Sequence, residues 1–412
     1  MMHYKCVCQI SIKVTPMTNA SAIPQRGNID FILILIANAV LGAAMPMLIV
    51  LGGLAGLMLT PSPALSTLPF SMGMLSGLFA AAPLSWCMGK FGRKLGFILG
   101  AILAALGGLM GGAAMIYEQF WLLILAHISL GAALACFQYF RFAAAEVVSE
   151  AWQPVAISLV LSSGLFAAFI GPEIFIQTKE LLAPMSFAGA YLAIVPLSLV
   201  GILPVLFTRF AAVEVKGDSN APHVSIREVL SRKSVALAVA AASISGGVMV
   251  LLMTPTPLAM VACGFTDANA SDVIRWHVIA MFAPSFVTGL IIKRFGVTNV
   301  IMTGVALLAI AAGLAISGIE IHHFYASLII LGIGWNFGFI GATSLLAASL
   351  KPHERAKMQG VNDTCVALAF TFASFSSGVL VTSFSWTVVA ISALPVLAVM
   401  MLGLMMMRKE VS

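Results

Sequence analysis

The chain has 412 residues, of which 61% are hydrophobic and only 9% charged, whereas a water-soluble protein carries roughly 25% charged residues. There is too little polar surface to coat a water-exposed globule, so lipid is the expected solvent for most of the chain. A net charge of +6 would suit a nucleic-acid binder, but the cations sit in short turns between apolar runs and read as a membrane-topology signal instead.

Residues 1–28 form a polar, basic tail that lacks the apolar core of a cleaved signal peptide, and Met17 is an alternative start. Twelve apolar runs of membrane-spanning length, about 20 residues each, follow at 31–54, 65–88, 95–117, 120–140, 155–176, 187–207, 235–260, 273–292, 300–319, 324–350, 361–384 and 386–407. The expected fold is therefore all-α and integral to the membrane. Two six-helix bundles (29–207 and 235–407) are joined by a polar linker (208–234), and a short tail (408–412) follows. Ile226–Leu230 within the linker has the pattern of a short surface helix. Trp86, Trp121, Trp152, Trp276 and Trp386 lie near span ends, as in an interfacial aromatic belt.

Of the 21 lysines and arginines, all but Lys179 and Arg275 fall on one side when both termini are placed together. Acidic residues show no comparable bias. The rule that cations stay inside then puts both termini in the cytoplasm, in a bacterial inner membrane. Six cysteines without paired His/Cys spacing give no disulfide framework and no metal site. There is no phosphate-binding loop, nucleophile elbow or His-x-x-x-His pair, so neither an enzyme, a cofactor nor an ATP-driven pump is expected.

The turn Gly89-Lys90-Phe91-Gly92-Arg93-Lys94 joins the second and third runs, and Lys293-Arg294-Phe295-Gly296 joins the eighth and ninth. Basic, glycine-containing turns at corresponding places of two halves indicate a duplicated bundle. With twelve spans, this pattern resembles the major facilitator superfamily, whose signature reads roughly G-x-x-x-D-R-x-G-R-R. Lys90, Gly92, Arg93 and Lys94 match it. Ser85 and Gly89 replace its first glycine and its aspartate, and the second copy keeps Arg294 and Gly296. Residues 139–146, 170–173, 277–286, 332–337 and 354–363 look like a bacterial group that includes riboflavin importers. The resemblance implies a monomer whose bundles rock about a midplane site. It also implies a cytoplasmic gate at Lys90, Gly92, Arg93, Lys94 and Arg294, which meets Asp363 at the start of span 11.

Polar residues deep in lipid face a cavity or a neighbouring helix. Asn38, Gln138, Trp335 and Asn336 are candidate substrate contacts, and helix–helix hydrogen bonding is the competing reading. Three of the four cavity-lining spans implied by the resemblance carry them. Carboxamides with an aromatic face suit a flat, polar, uncharged ligand. Arg141 and Glu146 are candidate gate residues or a solvated helix end; five positions apart, they are poorly placed to pair with each other. Glu173 and His277 are candidate proton sites, with a hydrated span end and an interfacial ring as the alternatives. His127 carries the same ambiguity. Gly171-Pro172 is all that remains of an exporter motif. The leading expectation is an ion-coupled, proton-driven secondary transporter of a small organic solute, with vitamin uptake such as riboflavin first. Efflux of drugs or metabolites stands second, and a non-transporting membrane sensor or assembly partner third.

Overall fold

The computed structural model describes residues 27–149, 152–210 and 225–411. The tail to residue 26, Met17 within it, and linker residues 211–224 lie outside the described residues. No strand occurs among those described, and the twelve expected spans are present.

Several spans are broken, and proline explains most of the breaks. Span 1 consists of α1 (Gly27–Gly42) and α2 (Ala44–Leu59). Pro46 has no N–H for the Gly42 carbonyl, and its ring crowds that carbonyl. Span 2 is α3 (Leu68–Phe91) and span 3 is α4 (Arg93–Ile116). Span 4 is α5 (Phe120–Phe137) continued by α6 (Phe140–Glu146). Spans 5 and 6 are α7 (Gln153–Thr178) and α8 (Ala188–Phe207). The expected surface helix is α9 (Ile226–Leu230), capped by the Ser225 hydroxyl.

Span 7 is α10 (Lys233–Met253) plus α11 (Thr256–Ala262), parted at Pro255 and Pro257. Span 8 is α12 (Asp267–Phe282) plus α13 (Ser285–Phe295), bent by 42° beside Pro284. Spans 9 to 12 are α14 (Val297–Ser317), α15 (Ile321–Ser349), α16 (Arg355–Ser383) and α17 (Trp386–Val411).

The duplication is visible in backbone angles. Gly92 links α3 to α4 with φ 90° and ψ 154°, and Gly296 links α13 to α14 with φ 84° and ψ 148°. Both links are single residues with positive φ, which glycine adopts without a Cβ penalty. Each half is also knit by close glycine contacts. A Cβ on Gly131 of span 4 would lie 1.9 Å from the Gly73 carbonyl of span 2, and one on Gly304 of span 9 would lie 2.3 Å from the Gly338 nitrogen of span 10. Small residues let membrane helices approach without a hydrophobic driving force.

Two expectations change. Asp363 is not at a helix start: α16 begins at Arg355, so Asp363 lies more than two turns inside it, beyond reach of the helix-end dipole. The polar stretch 355–360 is helical because it continues an apolar helix past the lipid, where no hydropathy signal marks it. Trp386 is buried at the start of α17 against Phe324, ring centroids 5.5 Å apart, and so is not a belt residue, while Trp121, Trp152 and Trp276 are exposed.

The halves meet along span 2 against span 11, span 5 against span 8, and α2 against α11 and α12. Polar contacts between them gather at the face remote from the basic turns. There Thr67 Oγ1 donates to the Ser374 carbonyl at 3.0 Å, and the Ser71 and Ser374 hydroxyls lie 2.8 Å apart. Further along the Ser71 stripe of span 2, toward the basic face, Phe79, Ala82 and Trp86 (63% exposed) lose their partners. On span 8, Phe286 and Leu290 (68% exposed) do the same. The halves are thus bonded to each other at the far face, while these side chains toward the basic face are exposed.

Candidate functional site

Two groups of polar and aromatic side chains flank a contact between the halves at mid-depth. On the first half, Asn38 of span 1 donates its amide to the Val160 carbonyl (3.1 Å) and Ser163 Oγ (2.7 Å) of span 5. This leaves its own carbonyl oxygen to accept. On the second half, Trp335 stacks on Phe339 (centroids 5.1 Å, 16°) and meets Phe282 edge-on at 6.2 Å. Its indole N–H is buried without an acceptor. The Phe282 ring comes within 3.6 Å of the place a Cβ would take on Gly164, next to Ser163. Aromatic surface and the Asn38 oxygen lie on either side of this contact, and the Trp335 N–H beside them is sealed from solvent.

Asn336, next to Trp335, does something else. It is fully buried, and its amide donates to the Met281 carbonyl and Ser285 Oγ (2.7 Å each). Its oxygen accepts from Thr288 Oγ1 at 2.6 Å. All three partners flank the bend in span 8, so the side chain holds that bend against span 10. Of its two readings, helix–helix bonding fits this geometry. His277 is likewise fully buried rather than interfacial, with Nδ1 2.7 Å from the Leu328 carbonyl. His127 bonds Tyr191 Oη at 2.8 Å inside the first half.

The far face is closed by a pair of crossed ion pairs that the sequence reading did not assemble. Lys179 of the first half bonds Asp267 of the second, while Arg275 of the second reaches Glu173 of the first at 3.4 Å. Arg275 also holds Asp272 at 2.9 Å, and Asp272 accepts from Tyr325 Oη at 2.6 Å. Lys179 and Arg275 are the two cations left on the wrong side of the topology count. That exception was a usable signal, because a cation kept there against the general bias needs a local partner. Glu173 is 57% exposed and also accepts from Gln177. Gly171 is occupied by packing: a Cβ there would stand 2.4 Å from the Ala43 carbonyl at the span 1 break.

At the basic face Arg93 grips Glu146 with two donors, and Lys94 caps the Leu206 carbonyl at 2.8 Å. The Arg93 fork holds the span 2–3 turn to the end of span 4. Lys90 lies over the rings of Trp86 (5.0 Å) and Phe91 (5.3 Å), and Arg294 lies over Phe295 (5.4 Å) at the matching turn. A cavity of about 660 Å³ opens here between Ala82, Trp86, Lys90 and Arg93. Asp363 is exposed and eleven residues from Ser374 on α16, which places the two on one helix face. Gln138 is exposed on span 4. Arg141 rests over Phe142 at 4.8 Å, with no acid partner among the described residues.

The second half has its own clamp. Arg232 bonds Glu354 through both nitrogens (2.9 and 2.6 Å), and the Lys351 backbone N–H adds a third bond. The Arg232 guanidinium holds the Glu354 carboxyl down at about 2. A carboxylate with a lowered native pKa contributes its stability above its unfolded value, about 4.3, and loses it as pH falls toward 2. The melting-temperature gap between parent and Glu354→Gln should therefore be flat from pH 8 to 5 and shrink below pH 4. A gap that grows on acidification would contradict the pairing.

Glu320, His322 and His323 at the start of α15 form a cluster whose ligand atoms lie within 4.8 Å. The two imidazoles lie 4.2 Å apart, tilted by 32°.

Twelve spans in two repeats, bonded to each other at one face and carrying basic turns at the other, define a membrane transport protein of the two-bundle type. The chain belongs to the major facilitator superfamily. The Major Facilitator Superfamily family model matches residues 270–411. Riboflavin transporter RfnT of Brucella anthropi is 38% identical over 95% of this chain and 98% of its own length. The uncharacterized MFS-type transporter YddS of Bacillus subtilis is 27% identical over 85% of this chain and 84% of its own. Among solved structures, nucleoside transporter NupG superposes with a TM-score of 0.72 at 15% identity, covering 92% of this chain and 99% of that one.

Proposed function

We propose that the protein imports riboflavin, or a closely related flat heteroaromatic vitamin, across the bacterial inner membrane by proton-coupled alternating access. The observation that carries the substrate is the 38% identity, end to end, with a riboflavin transporter. The midplane supports it chemically. A flavin ring offers a large π-face for Trp335 and Phe339, and an imide edge that both accepts and donates hydrogen bonds. Trp335 Nε1–H and the Asn38 oxygen supply the complementary donor and acceptor.

In this reading the basic face is cytoplasmic, both termini lie inside, and the conformation is inward-open. The bundles 29–207 and 235–407 rock as a monomer, linked through 208–234. Outward opening requires the Lys179–Asp267 and Arg275–Glu173 pairs to part. The basic ends then close, which brings Asp363 toward Lys90 and the turn at Gly92. The usual acidic member of that turn is Gly89 here, so the carboxylate comes from span 11 and the cation from span 2. Arg294 serves the matching turn of the second half. Glu173 is the proposed proton site, because neutralising it would release Arg275. His277, buried and without a route to water, is the weaker candidate.

The test is uptake of labelled riboflavin into cells unable to synthesise it, with and without this protein and with a proton uncoupler. Protein-dependent accumulation that collapses with uncoupler is expected. A correctly inserted protein that takes up none would reject the substrate, while accumulation that survives uncoupling would reject the proton.

A further inference from the structure

Span 4 carries a group of side chains that neither the midplane walls nor the ion pairs explain. Its last segment, α6, has neighbours on three sides. Tyr139 Oη donates to the Ala81 carbonyl of span 2 at 3.0 Å. Phe140 stacks on Phe97 of span 3 at 4.0 Å. Spans 1 and 5 pack along a third side. Gln138 and Phe142, four residues apart and both exposed, lie on the fourth side, which these neighbours leave uncovered.

Arg141 completes the group. Glu146, the acid five positions along, is held by both donors of Arg93, and among the described residues no acid pairs with Arg141. Its Nε is sealed from solvent without an acceptor, and its guanidinium lies over the Phe142 ring at 4.8 Å. An arginine that merely reached for water would hydrate that nitrogen. This one is held flat, with its terminal donors directed away from Nε. A charge this close to the hydrocarbon, without an acid partner among the described residues, is suited to meet its acceptors on a ligand.

We infer that Gln138, Arg141 and Phe142 form a second, release-side subsite for a planar ring bearing carbonyl acceptors, on the path between the Trp335 wall and the basic face. The guanidinium plane offers a stacking surface, its fork donates to ring carbonyls, and the carboxamide accepts or donates at the edge. This subsite rests on the riboflavin reading above. It moves Arg141 from gating to ligand binding.

The test is riboflavin binding to the purified full chain in lipid nanodiscs, read by quenching of flavin fluorescence, with thermal unfolding measured alongside. Arg141→Gln should weaken binding about tenfold, the loss expected for charge-assisted bonds. Arg141→Lys, which keeps charge but loses the fork, should fall between. Alkylation of Gln138→Cys, measured over that of the parent, should slow about threefold or more when riboflavin saturates the protein. Should both arginine variants unfold, Phe142→Leu and the alkylation measurement decide. Parent-like affinity in folded variants with no protection at position 138 would overturn the subsite and leave the substrate reading standing. A parent that binds no riboflavin overturns the substrate reading, and the subsite with it.

Discussion

Lys179→Asp should cut transport at least tenfold (~1.4 kcal/mol), and the double swap Lys179→Asp with Asp267→Lys should recover most of it. In the parent, Lys179 and Asp267 are less than a fifth exposed and tie span 5 to span 8 across the two halves. Two unit charges 4 Å apart interact by about 4 kcal/mol at the effective dielectric of a protein surface. Reversing one charge turns that attraction into repulsion at the seam that closes in each cycle of the proposed alternating access. It sets Asp267 against a second carboxylate, with Glu173 close by on the same helix. The conformation closed at the far face would be depleted, and turnover would fall with it. Recovery in the double swap should stop short of full, because position 267 is the first residue of α12. A lysine there opposes the helix dipole at a cost of about 0.3–1 kcal/mol. The measurement is initial uptake rate at matched membrane abundance. A double swap no better than the single would show that the pair is not what closes this face.

The second large effect is expected at a residue that looks like a ligand contact and acts through the fold. Asn336→Leu keeps the volume roughly constant but strips the Met281 carbonyl of its donor and leaves Ser285 Oγ unpaired, both beside a bend where Pro284 has already interrupted the helix ladder. Each orphaned buried polar group costs about 1–3 kcal/mol, so a loss of roughly 2–4 kcal/mol in unfolding free energy is predicted. Transport should fall because the bend positions Phe282 and α13. The discriminating readout is stability without ligand. A substrate contact would leave the melting temperature of the unliganded protein unchanged while weakening riboflavin binding, whereas a bend-holding residue lowers the melting temperature with or without ligand.

Asn336 and Trp335 show where sequence reading stops. Adjacent on one helix, they are about 100° apart around its axis. One meets a neighbouring bundle helix and the other a wall of the cleft. Periodicity could not separate them, because every face of α15 is apolar enough to be buried in either lipid or protein. Arg93 and Glu146 show the same limit. The sequence marked both as gate residues, but their pairing across 53 positions depends on how spans 2, 3 and 4 pack.

What the amino-acid order decided by itself was the number of spans, their approximate ends, the side on which the cations gather and the doubling of the bundle. These follow from local physics: hydrocarbon thickness sets run length, backbone groups in lipid must bond within their own helix, and Gly92 and Gly296 make turns that need no distant partner. Which buried polar groups are satisfied, which face of each span meets its counterpart, and which end of the cleft is closed were decided only by tertiary structure. Helices in lipid gain almost nothing from apolar burial against one another, so their rotation and register are set by a few long-range contacts. Gly131 against Gly73, Thr67 against Ser374 and Lys179 against Asp267 are such contacts, and no local pattern announces any of them.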